Sequence, residues 1–463
     1  MFLNTNMVRV SSASLLRAFS VSVDQISSVY TAYLLCYALV MPVAGQLGDT
    51  FGRRKIFKTG IFLFAVGSLL SGLSSKFWFL ILARAVQGTG GALVFPNALV
   101  LATRLSPPEE SGKVVGWWGS VASLGAVVGP TIGGILIHYF SWRFIFYANL
   151  PISLFILATE RMLPDESKEC LSDSIPYQSL VGTAFLGAAS LCVVVLVRNL
   201  GSLQRNAGVT SSMVLTCAAC TAVFLRTECR SNQPLLDIAI FGSRAVATSL
   251  VCGMVHMFTD QSAMFLMPLL LEKIRGFGPA QVGVAMLPAS LGRLLSAPLA
   301  GRHADRKGNR IPAVLGLLLM ASGCLSFCLI KQDTGIHYIL GGLALLGLGD
   351  GLVWSSNLTT LLKYVPPEKS GSATGVFNLA SFISGIIGTT ATGSMINSAI
   401  QLNIYPFTGV DTAPGYAASC ALLASVTFLG ASFGFSCLPR GLSVTQYDAA
   451  KRKTIETAGR DAY

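Results

Sequence analysis

Four ionisable side chains interrupt the long apolar segments of this sequence, and they are the residues best placed to do chemistry: Arg84, Asp260, Arg293 and Asp350. A charge in hydrocarbon costs about 3 kcal/mol or more unless it faces a protein interior or water. We therefore expect all four to line a polar interior, with Asp260 and Arg293 paired from consecutive segments. Exchanging these two charges should then rescue what either single reversal destroys. A partly desolvated carboxylate can also take up and release protons near neutral pH, and this makes Asp260 and Asp350 candidate proton carriers.

Two further side chains lie close to these charges in the sequence. His256 precedes Asp260 by one helical turn, so it could share that proton or be an ordinary core histidine. Trp354 shares a segment with Asp350 and could stack on a small molecule or anchor the membrane interface. The four histidines lack metal-ligand spacing, and no GxxxxGK phosphate loop occurs. We expect no metal, no cofactor and no direct use of ATP.

The composition defines the surroundings of these residues. Of 463 residues, 52% are hydrophobic and 12% are charged, against about 25% charged in soluble domains. Mean hydropathy is +0.63. Such a chain is expected in a lipid bilayer, where each span takes roughly 20 apolar residues. The net charge of +12 is spread over short segments between apolar runs, which argues against a nucleic-acid partner.

The apolar runs predict an all-α integral membrane protein with fourteen transmembrane helices. With both termini in the cytoplasm, 22 of the 33 Lys and Arg lie on the inner side, 8 lie on the outer side and 3 lie within spans. Basic residues are retained on the cytoplasmic side, so this orientation is expected in the cell membrane. The first span, residues 1–17, is short and polar.

An internal repeat divides the chain. SPPEESGKVVG at 106–116 matches VPPEKSGSATG at 365–375 at an offset of 259, and a second set of residues matches at an offset of 256. The repeat predicts two pseudo-symmetric six-helix bundles, at 1–162 and 241–440, a layout of transporters that rock about a central site. A two-helix insert with its loops would occupy 163–240, and a cytoplasmic tail 441–463.

Two glycine-containing patterns accompany the repeat. The first lies in cytoplasmic loops of both halves and would form gates that pair charges in one state and release them in another; its residues are Gly45, Asp49, Gly52, Arg53, Arg54, Gly301, Asp305 and Arg310. The second is a smooth helix face beside a bend, suited to close helix approach or to plain packing; its residues are Gly125, Gly129, Pro130, Gly133 and Gly134.

At four places the sequence resembles the major facilitator superfamily, and within it the fourteen-helix drug:proton antiporters. The segment 45–55 is similar to the signature between helices 2 and 3, departing at Thr50, where a basic residue is usual. Segments 82–92 and 124–134 resemble the helix 4 and helix 5 signatures, and 142–151 resembles the entry into helix 6. The resemblance implies that Arg84 is associated with proton coupling and that the stripe at 124–134 is typical of exporters.

Helix 1 departs from that family. Asn4 stands where an aspartate is usual and Arg9 where an asparagine is usual. Because Asn4 cannot exchange a proton, Asp260 or Asp350 are the expected carriers, together with Arg84. A substrate cavity would be lined by Asn4, Gln87, His256, Arg293 and Trp354.

Together these features predict a monomeric secondary transporter that exports amphipathic organic compounds in exchange for protons by alternating access. A proton-independent or metabolite-specific exporter is the nearer alternative, favoured by Asn4. A membrane-embedded enzyme is the more distant one, because no nucleophile with a base and no clustered ligands are found. The partners expected are a small-molecule substrate, protons and the lipid bilayer.

Overall fold

The computed structural model describes residues 2–104, 111–159, 177–198, 207–230, 243–330, 334–365, 370–401 and 414–438. All regular structure in these ranges is helical. The first half contributes α1 (Phe2–Val10), α2 (Ser12–Phe19), α3 (Val23–Phe51), α4 (Arg53–Leu73), α5 (Phe77–Arg104), α6 (Ser111–Tyr139), α7 (Phe144–Tyr147) and α8 (Asn149–Thr159). The predicted tail, 441–463, lies outside the described residues.

The rest of the chain continues the same pattern. The two middle helices are α9 (Tyr177–Arg198) and α10 (Ala207–Arg230). The second half contributes α11 (Arg244–Arg275), α12 (Pro279–Ala285), α13 (Leu287–Lys307), α14 (Arg310–Phe327), α15 (Ile336–Tyr364), α16 (Ser370–Gln401) and α17 (Pro414–Cys437). By length and hydropathy, seven stretches of the described chain could each cross a bilayer. The count of fourteen spans stays a prediction.

The sequence repeat has a counterpart in backbone geometry, always at the offset of 256. Gly52, between α3 and α4, has φ +95°, and Gly308, between α13 and α14, has φ +90°. Both positions favour glycine because a Cβ is strained there. At the ends of α2 and α11, Ser20 and Gly276 have φ +50° and +66°. Matched turns of this kind are what a repeated architecture predicts.

The starts of α3 and α12 match in the same way. Gln25 accepts a hydrogen bond from the backbone N–H of Ser22 at 2.9 Å. Gln281 accepts one from Gly278, also at 2.9 Å. In each case a glutamine at the third helical position satisfies a backbone donor that has no partner within its own helix. The matched caps set both chains into their helices at corresponding points.

The predicted glycine stripe on α6 touches helices of both halves. A Cβ on Gly129 would lie 2.8 Å from the Cβ of Asn6, and one on Gly133 would lie 2.8 Å from the Cα of Met7, so α1 packs directly on this face. A Cβ on Gly134 would lie 2.4 Å from the carbonyl oxygen of Pro279, at the start of α12. The stripe therefore joins α6 to its own half and also to the other half.

The contact between α6 and α12 is reciprocal. A Cβ on Gly283 would lie 2.4 Å from the carbonyl oxygen of Pro130. Thr131 also donates a hydrogen bond to the carbonyl of Gly283 at 3.3 Å. The two halves thus meet backbone to backbone, which is possible only where side chains are absent.

Helices α9 and α10 pack against each other and lie beside α3 and α16. Val194 of α9 joins a buried cluster with Tyr33, Leu34 and Ile386, and Phe224 of α10 joins another with Ala38. The pair therefore contacts one helix of each half.

We expect Gly283→Ala or Gly134→Ala to lower the thermal unfolding midpoint of the purified protein by several degrees. The added methyl would overlap a backbone carbonyl, and overpacking costs about 1 to 3 kcal/mol. Gly341→Ala is the matched control, since a Cβ there meets nothing within 4 Å. Equal midpoints for Gly283→Ala and Gly341→Ala would contradict close contact between α6 and α12.

Candidate functional site

A chain of alternating charges runs through the interior from α1 to α15. Asp260 accepts a hydrogen bond from Arg293 Nη2 at 2.7 Å and lies 3.7 Å from Arg9 Nη2. Arg293 Nε contacts the second aspartate, Asp350. The other carboxylate oxygen of Asp350 lies 2.5 Å from His256 Nε2. Five side chains on four helices therefore form one continuous network.

This network is almost completely removed from solvent. Asp260 is 4% exposed, Asp350 is 3% exposed and His256 is 1% exposed. Only the Arg293 side chain, 30% exposed, keeps partial access. Buried ions are tolerated when each meets an opposite charge and has its hydrogen bonds filled. Two arginines and two aspartates cancel, so the chain is electrically neutral when His256 is neutral.

Arg9 gives the network its importance for the fold, because it comes from the first half while the other four residues come from the second. Its guanidinium also donates to Asn6 at 2.9 Å and to Gln261. Arg9 therefore bridges α1 and α11 with an ion pair and a hydrogen bond. Breaking a buried pair of this kind costs about 3 to 5 kcal/mol, so the bridge is a substantial link between the halves.

The structure places the expected pair, Asp260 and Arg293, in direct contact, but each has a second partner. An exchange of the two charges would put an arginine beside Arg9 and an aspartate beside Asp350. The expected rescue by exchange therefore does not follow. The side chain of His256 points to Asp350 on α15 instead of sharing its proton with Asp260 on its own helix.

Arg84 forms a separate centre in the first half. It is 1% exposed, and its Nη1 donates to Asn4 at 3.1 Å and to Gln87. Its Nε donates to the carbonyl of Val29 at 3.3 Å, and its guanidinium carbon lies 4.2 Å from the ring centroid of Tyr33. No carboxylate of the described residues pairs with it. Neutral acceptors and an aromatic face thus hold an uncompensated positive charge.

Asn4 itself is fully buried, and its Nδ2 has no hydrogen-bond partner in the described part of the chain. Gln87, also expected at the cavity, donates to Ser68 at 2.6 Å. Both amides therefore position Arg84.

Trp354 lies next to the charge chain. Its ring is 6.1 Å from that of His256 on α11 and 6.1 Å from that of Phe377 on α16. Trp354 is partly exposed, whereas Phe377 is buried. An aromatic wall therefore continues from the ionic network towards the C-terminal end of α15.

The predicted gates are only partly covered by the structure. The side chains of Asp49 and Asp305 are outside the described residues. Gly48 packs where a Cβ would lie 2.0 Å from Asn97 Oδ1, and a Cβ on Gly45 meets nothing within 4 Å. Arg310 donates to the carbonyl of Phe435 and lies 4.3 Å from that ring. The pairing of charges across the gates remains a prediction.

No group of residues in the described ranges could hold a metal ion. What the geometry offers is a bundle of apolar helices in two related halves, with an ionic network crossing between them at their interior. This arrangement is typical of a membrane transporter.

The family is shown by sequence. The family model described as Major Facilitator Superfamily matches residues 1–389, and the chain belongs to this superfamily. The chain is 29% identical over 406 residues to the multidrug resistance protein Stp of Mycobacterium tuberculosis (strain CDC 1551 / Oshkosh), covering 88% of this chain and 75% of the relative. It is 29% identical over 410 residues to a tetracenomycin C resistance and export protein of Streptomyces glaucescens, covering 87% and 74%.

A third relative is named for the transport of a single compound. The riboflavin transporter RibZ of Clostridioides difficile (strain 630) is 26% identical over 402 residues, covering 87% of this chain and 86% of the relative. Among solved structures, the chain is similar to the xylose transporter XylE from E. coli in a partially occluded inward-open conformation. The TM-score is 0.61 at 14% identity, and the match covers 95% of this chain and 96% of that chain. A peptide transporter in complex with sulfate is similar with a TM-score of 0.68 at 14% identity, covering 95% and 92%. These structures establish the fold, and the relatives are transporters rather than enzymes.

Sequence reasoning missed the role of Arg9 as the bridge between the halves. Its departure from the family pattern was the available signal, since a new charge in a span needs a partner.

Neutralising Asp260 should destabilise the protein more than neutralising Asp260 and Arg9 together. Asp260→Asn leaves Arg9 without a carboxylate, at a cost of about 3 to 5 kcal/mol, whereas Arg293 keeps Asp350. Adding Arg9→Met removes the stranded charge and should recover part of the loss. Thermal unfolding of the single and double variants measures this coupling. Additive losses would contradict the bridge.

Asn4→Asp should raise the unfolding midpoint by a few degrees near pH 8. The amide oxygen of Asn4 already accepts a hydrogen bond from Arg84, and a carboxylate oxygen would keep that bond and add a negative charge. The second carboxylate oxygen would replace the unpartnered amide nitrogen and provide another acceptor for the buried cation. Asn149→Asp is the control, because its amide nitrogen donates to the carbonyls of Ile145 and Phe146, which a carboxylate would repel. A lowered midpoint for Asn4→Asp would mean that Arg84 is already fully compensated.

Proposed function

We propose that this protein is a secondary transporter that exports amphipathic organic compounds in exchange for protons by alternating access. It would have fourteen spans, with bundles at 1–162 and 241–440, an insert at 163–240, and both termini in the cytoplasm. A monomer in the cell membrane would suffice, because all parts of the proposed mechanism lie in one chain.

The observation that carries the proposal is the ionic chain linking the two halves. A transporter that rocks must make and break contacts between its halves, and a drive must bias that equilibrium. Here one end of the chain, Arg9, holds the first half, and the other end, His256, is an imidazole with a second ring nitrogen that can accept a proton. A proton at one end can therefore affect the contact at the other.

The step follows from charge alternation. His256 uses Nε2 towards Asp350, and its Nδ1 has no partner among the described residues. A proton taken up at Nδ1 makes the ring cationic and strengthens its hold on Asp350. Asp350 then attracts Arg293 less strongly, and Arg293 interacts more strongly with Asp260. Asp260 in turn holds Arg9 less tightly, which loosens the contact between α1 and α11.

Other predicted residues would support this cycle. Asp260 and Asp350 serve as the carboxylates that pass the effect along, and Arg84 supplies a fixed positive charge on α5. The stripe on α6 would close one side of the molecule, while the gate residues of both halves would close the other. Because α1 contacts both Arg84 and, through Arg9, the ionic chain, its movement would connect the two centres.

The substrate class is supported by the relatives. Two of them are a multidrug resistance protein and a tetracenomycin C resistance and export protein. A second candidate function, a metabolite-specific or proton-independent exporter, is favoured by Asn4, which removes the usual titratable group of helix 1, and by the relative that transports riboflavin.

Reconstituted vesicles with an acidic lumen should accumulate ethidium, and the accumulation should vanish when nigericin collapses the pH gradient. One proton exchanged per molecule supports about a tenfold gradient for each pH unit. His256→Gln should abolish gradient-driven accumulation while retaining exchange of labelled for unlabelled ethidium without a gradient. Gln can still bond Asp350 but cannot become charged.

His138→Gln is the matched control, since His138 is exposed at the end of α6 and outside the network. It should behave as the wild type. Arg84→Ala should lose gradient-driven accumulation. Accumulation that persists after nigericin would select the proton-independent alternative.

A further inference from the structure

Next to the ionic chain, the second half contains a set of polar atoms with nothing to bond. Both amide atoms of Asn357 on α15 and the hydroxyl of Ser381 on α16 have no hydrogen-bond partner in the described part of the chain, although each residue is only 1% exposed. A buried amide left without partners is costly, so such groups usually have a role that fills them.

These atoms lie beside the aromatic wall. Asn357 follows Trp354 by three residues and Ser381 follows Phe377 by four, so each polar group shares a helix face with a ring. The helix α11 joins the two sites: Ser249 donates to the backbone carbonyl of Asn357 at 2.8 Å. One turn further along α11, a Cβ on Gly253 would lie 2.5 Å from the ring of Phe377 and 3.2 Å from Ser381 Oγ.

Trp354 is the partly exposed member of this group. Its ring contacts come from α11 and α16, whereas α13 and α14 pack most extensively on other faces of α15. Both α11 and α16 also contact the first half. The ring of Trp354 therefore lies beside α11 and α16, two helices that also reach the first half.

We propose that Trp354, Asn357 and Ser381 form a substrate subsite for a planar aromatic ring whose edge carries a hydrogen-bond donor next to an acceptor. This inference rests on the proposed export function and names its substrate class. The indole supplies a stacking face. The amide of Asn357 supplies one donor and one acceptor in a single plane, which matches a ring imide or lactam edge, and the Ser381 hydroxyl adds a third contact.

The chemistry of the subsite separates this substrate from other classes. Neither amide atom of Asn357 hydrogen-bonds to a charged group in the described residues, so this residue offers neutral hydrogen bonds to a ligand. A purely hydrocarbon ring would leave the amide without partners, and a site built for hydrogen bonds rejects such a ligand strongly. His256, at 6.1 Å from the Trp354 ring, places the end of the ionic chain beside the bound ring.

Binding can be tested on purified full-length protein in detergent, with no gradient present. Lumiflavin is the probe, because its ring edge carries an N–H between two carbonyls, and N3-methyl-lumiflavin is the same ring without the donor. Flavin fluorescence titration should give at least about tenfold tighter binding for lumiflavin, as expected from one buried hydrogen bond. Asn357→Leu should weaken the binding of lumiflavin by about tenfold and remove the difference in affinity between the two probes.

Asn149→Leu, which replaces a buried amide on α8, should keep the preference, and Trp354→Leu should weaken both probes alike. Ser381→Ala, a smaller change, should reduce the preference even if Asn357→Leu does not fold. No lumiflavin binding, or a preference that survives Asn357→Leu or Ser381→Ala, would overturn the subsite. These results are independent of proton coupling. Ethidium accumulation driven by protons could persist in a protein without the subsite. The difference in affinity between lumiflavin and N3-methyl-lumiflavin could likewise persist in a proton-independent protein.

Discussion

The cost of placing charge in a medium that cannot solvate it governs this structure. Three arginines and two aspartates of the described residues lie inside the helical bundle, and each is held by a specific partner. In water, ion pairs of this kind would contribute little. In the interior they are strong because the alternative is an unpaired ion, so they determine which helices must touch. The contact between α1 and α11 is one product of this constraint.

Two different solutions to the same problem occur in the two halves. In the second half, opposite charges alternate, and every ion has an ionic partner. In the first half, Arg84 is held by amide and carbonyl oxygens and by the ring of Tyr33. In the proposed mechanism the first solution responds to a proton taken up at His256. The second has no acidic member, since Asn4 and Gln87 have no proton to exchange.

Much of this could be predicted from the sequence, for a physical reason. Apolar runs must become helices in lipid because every backbone group needs a partner, so the helical class follows directly. The repeat followed from residues such as Gly52 and Gly308, whose backbone conformation few other residues adopt. The contact between Asp260 and Arg293 could be expected because two opposite charges in neighbouring spans lower each other's burial cost.

What could not be predicted depends on distances between helices far apart in the sequence. Asp260 and Arg9 are separated by 251 positions, and no spacing rule joins them. The second partner of Arg293 and the rotation of His256 towards α15 are likewise set by packing. The breaks at Ser11 and Met286 divide segments that the sequence predicts as continuous helices, because a single residue out of register does not alter hydropathy.

The position of α9 has a consequence for molecules dissolved in the bilayer. Since α9 lies against both α3 and α16, it covers the seam at which α3 of the first half meets α16 of the second half. Lipid tails and hydrophobic solutes on that flank contact the inserted helices α9 and α10 instead of the seam. On the opposite flank the seam is closed by the backbone contact between α6 and α12 itself, at Gly134 and Gly283, so the two flanks are shielded from lipid in different ways.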